Sequence, residues 1–181
     1  MFFKATLSLT AVLALTACAS QMSAPAMPFS QAGLPAAVQV PAGHRVVLET
    51  VGVGQITYEC RAKKDMAGHE WVFVGPEARL LDRQGRQVGK YYGPPATWES
   101  QDGSKLTGTQ LAVAPAAIGS IPLQLVKADP ATGMGAMQGV TYIQRVATQG
   151  GVAPAAVCDA SRLGVRQTVP YQADYIFWKA V

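Results

Sequence analysis

In the stretch Tyr171-Gln172-Ala173-Asp174-Tyr175-Ile176-Phe177-Trp178, near the C-terminus, Tyr171, Ala173, Tyr175 and Phe177 fall on alternate positions. Side chains of an extended chain alternate between its two faces, so these four share one apolar face and the segment reads as a strand. Working back from it, Val140-Thr141-Tyr142-Ile143-Gln144-Arg145-Val146 is rich in β-branched and aromatic residues. Asp129 to Gly139 is a loop, and Ile121 to Lys127 is a further strand whose Pro122 suggests an edge or a bulge. Two hairpins precede it. One runs from Arg79 to Tyr92 around Gly85; the other sets Thr97 to Ser100 against Lys105 to Val113 around Asp102-Gly103, a strong turn signal. Earlier still, Arg45 to Glu49, Gln55 to Cys60 and Glu70 to Val74 read as strands, with Gly52 and Gly54 as punctuation. Ile56, Tyr58 and Cys60 share the face that points inward. About 8–10 strands at short spacing, with little helix, predict an all-β fold: a single antiparallel β-sandwich or barrel-like domain.

The 181 residues suit one domain, and 49% hydrophobic with 14% charged residues supports a packed core. The net charge of +4 comes from scattered residues, Lys63-Lys64 being the only adjacent basic pair, which argues against nucleic acid as a partner. Met1 to Lys4 is a short positive segment and Ala5 to Leu15 an apolar run too short to span a bilayer as a helix. Leu15-Thr16-Ala17-Cys18 then resembles a bacterial lipobox. Residues 1–17 are therefore expected to be a cleaved signal peptide, with Cys18 acylated and holding the protein to a membrane. Ala19, rather than Asp, follows the cysteine. In a Gram-negative bacterium that implies export to the outer membrane, facing the periplasm. Residues 18–42 are poor in periodicity and rich in Ala, Pro, Ser, Gln and Met, and are expected to be a flexible tether; residues 43–181 are the β domain. Of three cysteines, acylation of one leaves Cys60 and Cys158. An oxidising envelope lets them pair, the alternative being two separate buried thiols.

Several stretches together resemble a known family. They are Gly54-Gln55-Ile56-Thr57-Tyr58-Glu59-Cys60, Trp71 with Gly75-Pro76-Glu77-Ala78-Arg79-Leu80, Gly93-Pro94, Trp98-Glu99, Asp102-Gly103-Ser104, Ile121-Pro122, Val140 to Thr148, Gly150-Gly151, Cys158 and Val169 to Phe177. Their order and spacing are similar to the exported family catalogued as domain of unknown function 3455. The resemblance implies a secreted or envelope-located single domain and carries no established biochemistry or site residues. The family pattern often has a His where this chain has Tyr91, and a Trp where it has Leu123. Any role of that His is absent here.

Candidate chemistry concentrates in the second hairpin. Glu99 with Asp102, or with Asp174, is a two-carboxylate arrangement of the kind glycosidases use. The turn alone accounts for Asp102, and Glu99 is expected to pair with Arg145. His44 and His69 are the only histidines and neither lies near a nucleophile elbow, so a Ser-His-Asp triad is not expected. Too few His, Cys and carboxylate residues remain for zinc. Gly133-Met134-Gly135-Ala136-Met137-Gln138-Gly139 departs from the dinucleotide fingerprint in spacing and context, so no cofactor is expected. Tyr91 and Tyr92 are adjacent, so one of them faces outward. The expected binding surface is Tyr91, Tyr92, Trp98, Glu99, Asp102, Ser104 and Arg145. The function read from these residues is a non-enzymatic envelope lipoprotein that binds a ligand or an envelope protein. The alternative is a hydrolase of envelope polysaccharide acting through Glu99 and another carboxylate.

Overall fold

A computed structural model describes residues 28–181. The expected signal peptide, the expected acylation site Cys18 and the first part of the expected tether lie outside the described residues. Eight strands follow one another: β1 (His44–Ala62), β2 (His69–Leu81), β3 (Gln87–Tyr92), β4 (Thr97–Ser100), β5 (Lys105–Ala114), β6 (Leu123–Ala128), β7 (Val140–Gly150) and β8 (Arg166–Ala180). Each pairs antiparallel with its neighbour in sequence, and β8 pairs with β1, which closes a barrel. The fold is therefore all-β and, of the two expected forms, a barrel. The upper end is taken here as the one carrying the β1–β2, β3–β4, β5–β6 and β7–β8 connections.

The segments Arg45–Glu49 and Gln55–Cys60, expected as two strands, are one continuous strand. The glycines between them do not end it; they let its neighbours approach closely. A Cβ at Gly54 would lie 2.0 Å from the Glu77 carbonyl oxygen, and one at Gly52 would lie 2.5 Å from the Tyr175 ring. The barrel is filled by a core that includes Leu80, Tyr91, Trp98, Leu106, Met137, Ile143, Tyr171, Tyr175 and Phe177. Tyr171, Ala173, Tyr175 and Phe177 all point inward, as their alternation predicts.

Closure is uneven. Strand β4 covers four residues and pairs with β5 only through Thr97, Trp98 and Glu99. Strand β3 pairs with β2 only from Glu77 to Leu81. The upper parts of β2 and β5 thus face each other without a strand between them.

Cys60 and Cys158 form a disulfide across 98 residues of sequence. It pins the β7–β8 connection to the upper end. Tyr58 Oη donates to the Gly151 carbonyl (2.8 Å) and Trp71 Nε1 to that of Ala156 (2.7 Å), holding the same connection. In the chain-entropy picture a loop of this length contributes roughly 4–5 kcal/mol by restricting the unfolded chain.

The tether reading needs correction where the structure describes it. Residues 28–42 are not free chain; they strap the outside of the barrel. Val38 and Val40 are buried against Leu125, Val146, Ile176 and Trp178, and Phe29 meets the Trp178 ring edge-on at 6.2 Å. Gln144, fully buried, donates to the Val38 carbonyl (2.6 Å) and to Gln31 Oε1 (3.0 Å), and accepts from Trp178 Nε1 (2.9 Å). The physical reason is an apolar stripe on the outer face of β6 to β8 that water would otherwise meet. The sparse Phe29, Leu34, Val38 and Val40 are enough to cover it.

Burial of a Val side chain stabilises by about 1.5–3 kcal/mol, so a chain beginning at residue 41 is expected to lose roughly 3–6 kcal/mol from Val38 and Val40. Urea unfolding measures this, and an unchanged midpoint would show that the strap contributes nothing.

Candidate functional site

The hairpin that carries the expected surface is split by the pleat into an inner and an outer face. Tyr91 and Trp98 are register partners on β3 and β4. Both are buried, with their rings stacked at 4.7 Å and both against Tyr175. They are core residues and leave the binding surface predicted for them. Ser104 leaves it too, since it is fully buried.

Asp102 is a structural staple. Its Oδ1 accepts from the Ser104 amide (2.9 Å) and hydroxyl (2.6 Å), and its Oδ2 accepts from the Ala136 amide (2.8 Å) on the β6–β7 connection. Ser104 Oγ in turn accepts from the Met137 amide (3.1 Å). The Ser104 hydroxyl first, then the Ala136 and Ser104 amides, hold the Asp102 carboxyl down to about 2.

Glu99 points the other way, to the outside. Tyr92 Oη donates to its Oε2 (2.7 Å) and Lys90 Nζ lies 3.2 Å from its Oε1. The tyrosine hydroxyl and then the lysine lower its pKa. The expected partner, Arg145, is elsewhere: its Nε and Nη2 donate to the Pro122 carbonyl at 3.2 and 2.9 Å. The reason is again the pleat. Arg145 is the register partner of Tyr175 and shares its inward face, so the barrel wall stands between it and Glu99. Asp174 is bound to Arg83 (2.9 Å), which also holds Glu49 (2.8 Å). Each proposed catalytic carboxylate thus has its own local partner.

Of the expected surface, Tyr92 and Glu99 stand together at the outer face. They adjoin a groove of about 1000 Å³ that crosses β8, β1, β2 and β3. Gln55, Glu77, Arg79, Lys90, Tyr92 and Pro170 are among its lining residues. Lys90 Nζ sits 5.2 Å from the centre of the Tyr92 ring. Gln55, Glu77 and Arg79 stand in the stretches that carry the family resemblance but are not part of the expected surface. The signal was present in the alternation itself, since each is a polar residue next to an inward-facing apolar one: Ile56, Ala78 and Leu80. Among the described residues no cluster of three or more His, Cys, Asp or Glu could hold a metal ion.

The chain belongs to the family described as "Protein of unknown function (DUF3455)", which matches residues 41–179. No curated protein matches it, and no solved structure does.

The Asp102 staple carries a pH signature. Its folded pKa lies below the ordinary value of 3.8, so its contribution is present above 3.8 and is lost as pH falls through about 2. Wild-type protein is expected to lose stability through this window, and an Asp102→Asn variant to lose less of it. Thermal melts at steps between the two pH values measure the difference; parallel curves would remove the staple from the account.

Proposed function

We propose that this chain is an exported envelope lipoprotein, anchored through acylated Cys18, whose barrel is a non-enzymatic binding module for a polar, glycan-like ligand. The observation that carries the reading is the outer groove: an aromatic ring, Tyr92, set among Gln55, Glu77, Arg79 and Lys90. Binding sites combine an apolar platform with a few placed polar groups that fix orientation. Here the platform is pre-set, because Glu99 and Lys90 both engage Tyr92.

The alternative, hydrolysis of envelope polysaccharide, needs one carboxyl group kept protonated near neutral pH to donate to the leaving oxygen. Glu99 and Asp102 are both shifted in the opposite direction, by donors that stabilise their charged forms. That favours binding over cleavage.

The anchor is tested by Cys18→Ala. The variant is expected to move from the membrane to the soluble fraction of an envelope preparation, and retention in the membrane would remove the lipid anchor. The groove is tested by co-sedimentation of the purified protein with peptidoglycan sacculi. Tyr92→Ala is expected to keep the wild-type circular dichroism spectrum and to lose most of the sedimented fraction. Equal sedimentation of variant and wild type would place binding outside the groove.

A further inference from the structure

The strand register places one row of side chains on the inner face of the barrel, starting at the upper end of β5. Val113 pairs with Gln124, Gln124 with Arg145, Arg145 with Tyr175 and Tyr175 with Thr50, across β5, β6, β7, β8 and β1. Directly opposed residues share a face, and Tyr175 is in the core, so the whole row looks inward. It runs from open to closed. Val113 is 46% exposed, Arg145 is half-buried, and Tyr175 and Thr50 are fully buried. On the facing wall Phe73, the register partner of inward-facing Tyr58, is 52% exposed. Inward residues are solvent-accessible here because the wall has no strand between upper β2 and upper β5.

Two further facts concern polarity. Among the described residues Arg145 has no carboxylate partner. Two of its nitrogens converge on one carbonyl, that of Pro122. Deeper along the same row, the Thr50 hydroxyl is buried without a hydrogen-bond partner, as is Nε1 of Trp98, whose ring lies 5.9 Å from that of Tyr175. Buried polar atoms are nearly always paired, so two unpaired donors and an uncompensated cation, each next to Tyr175 by register or ring contact, point to a polar guest.

We propose that this inner face is an anion site, with Arg145 as its cation, for a small carboxylate or phosphate entering between upper β2 and upper β5. Arg145 presents a guanidinium fork, the geometry that suits both anions. The buried tyrosines supply neutral donors: burial raises the hydroxyl pKa of Tyr91, Tyr171 and Tyr175, with the charge of Arg145 acting against it. This site lies on the opposite side of the wall from the Tyr92 groove and does not depend on it.

The test is calorimetric titration of the purified protein with inorganic phosphate and with succinate, at constant ionic strength, followed also by tyrosine difference absorption. Saturable binding of at least one anion with a tyrosine signal is expected. Loss of a charge-assisted bond predicts affinity roughly ten- to a hundred-fold weaker in Arg145→Gln. Tyr92→Ala is expected to bind as wild type does. If Arg145→Gln fails to fold by circular dichroism, Arg145→Lys is read in its place; it keeps the charge, loses the fork and is expected to bind more weakly. Absence of saturable binding to both anions, or undiminished affinity in the folded Arg145 variant, overturns the proposal.

Discussion

Strand β8 is buried on both of its faces, and the rest of the molecule follows from that double burial. Its inward row of Tyr171, Ala173, Tyr175 and Phe177 supplies the largest share of the barrel filling. Its outward Ile176 and Trp178 are as well covered, by the strap. A strand with two apolar faces needs partners in three directions: β1 and β7 alongside, the opposite wall within and a further layer without. Pairing with β1 converts a meander into a barrel, and β1 must then leave room for the Tyr175 ring. Gly52 leaves that room, since any side chain there would occupy the place of the ring, and Gly54 lets the β2 backbone at Glu77 come close. The strap is what the outer face requires once the barrel has closed.

Closure at one height does not require closure at another. The short β4 seals the barrel where Trp98 packs against Tyr91 and Tyr175, and above that level the wall is open. A second device then becomes necessary, because the upper ends of β1 and β2 have lost the support of a full cylinder. The Cys60–Cys158 bond, with the Tyr58 and Trp71 hydrogen bonds, brings the β7–β8 connection over that end. Cys60 lies within the β1–β2 ladder, opposite Trp71, so the bond ties the long connection to a strand that is itself held on both sides.

Much of this was legible in the sequence, because β-alternation is a local property. The inward faces of β8 and of Ile56, Tyr58 and Cys60 were read correctly, as were both hairpins and the cysteine pair, the last from compartment and count. Three things were not legible. Gly52 and Gly54 looked like breaks, since a sequence cannot distinguish a glycine that ends a strand from one that lets another strand approach. Phe29, Leu34, Val38 and Val40 looked too sparse to order, since the stripe they cover belongs to strands a hundred residues away. The pairing of Glu99 with Arg145 failed because it ignored the parity of each residue on its own strand. Parity was available for both: Glu99 follows Trp98, which packs inward, and Arg145 stands two residues from inward Ile143.

That parity also sorts the chemistry. Within the hairpin, the groups that looked most reactive are those most engaged in holding the fold: Asp102 ties two connections together, Ser104 sits beneath it, and Trp98 fills the barrel. A carboxylate that accepts several N–H and O–H bonds is stabilised in its charged form, which makes it a good staple and a poor acid. The side chains that the fold leaves least engaged are separated by the wall. Tyr92 lines the outer groove, and the charge of Glu99 beside it is matched by Lys90. Arg145 faces inward, with a carbonyl for company and no matching charge among the described residues. A cation held at an opening by its neutral neighbours alone keeps its field for whatever anion enters, whereas a paired one does not. The asymmetry between the two faces of a single wall, one neutralised and one not, is the strongest chemical distinction this barrel makes.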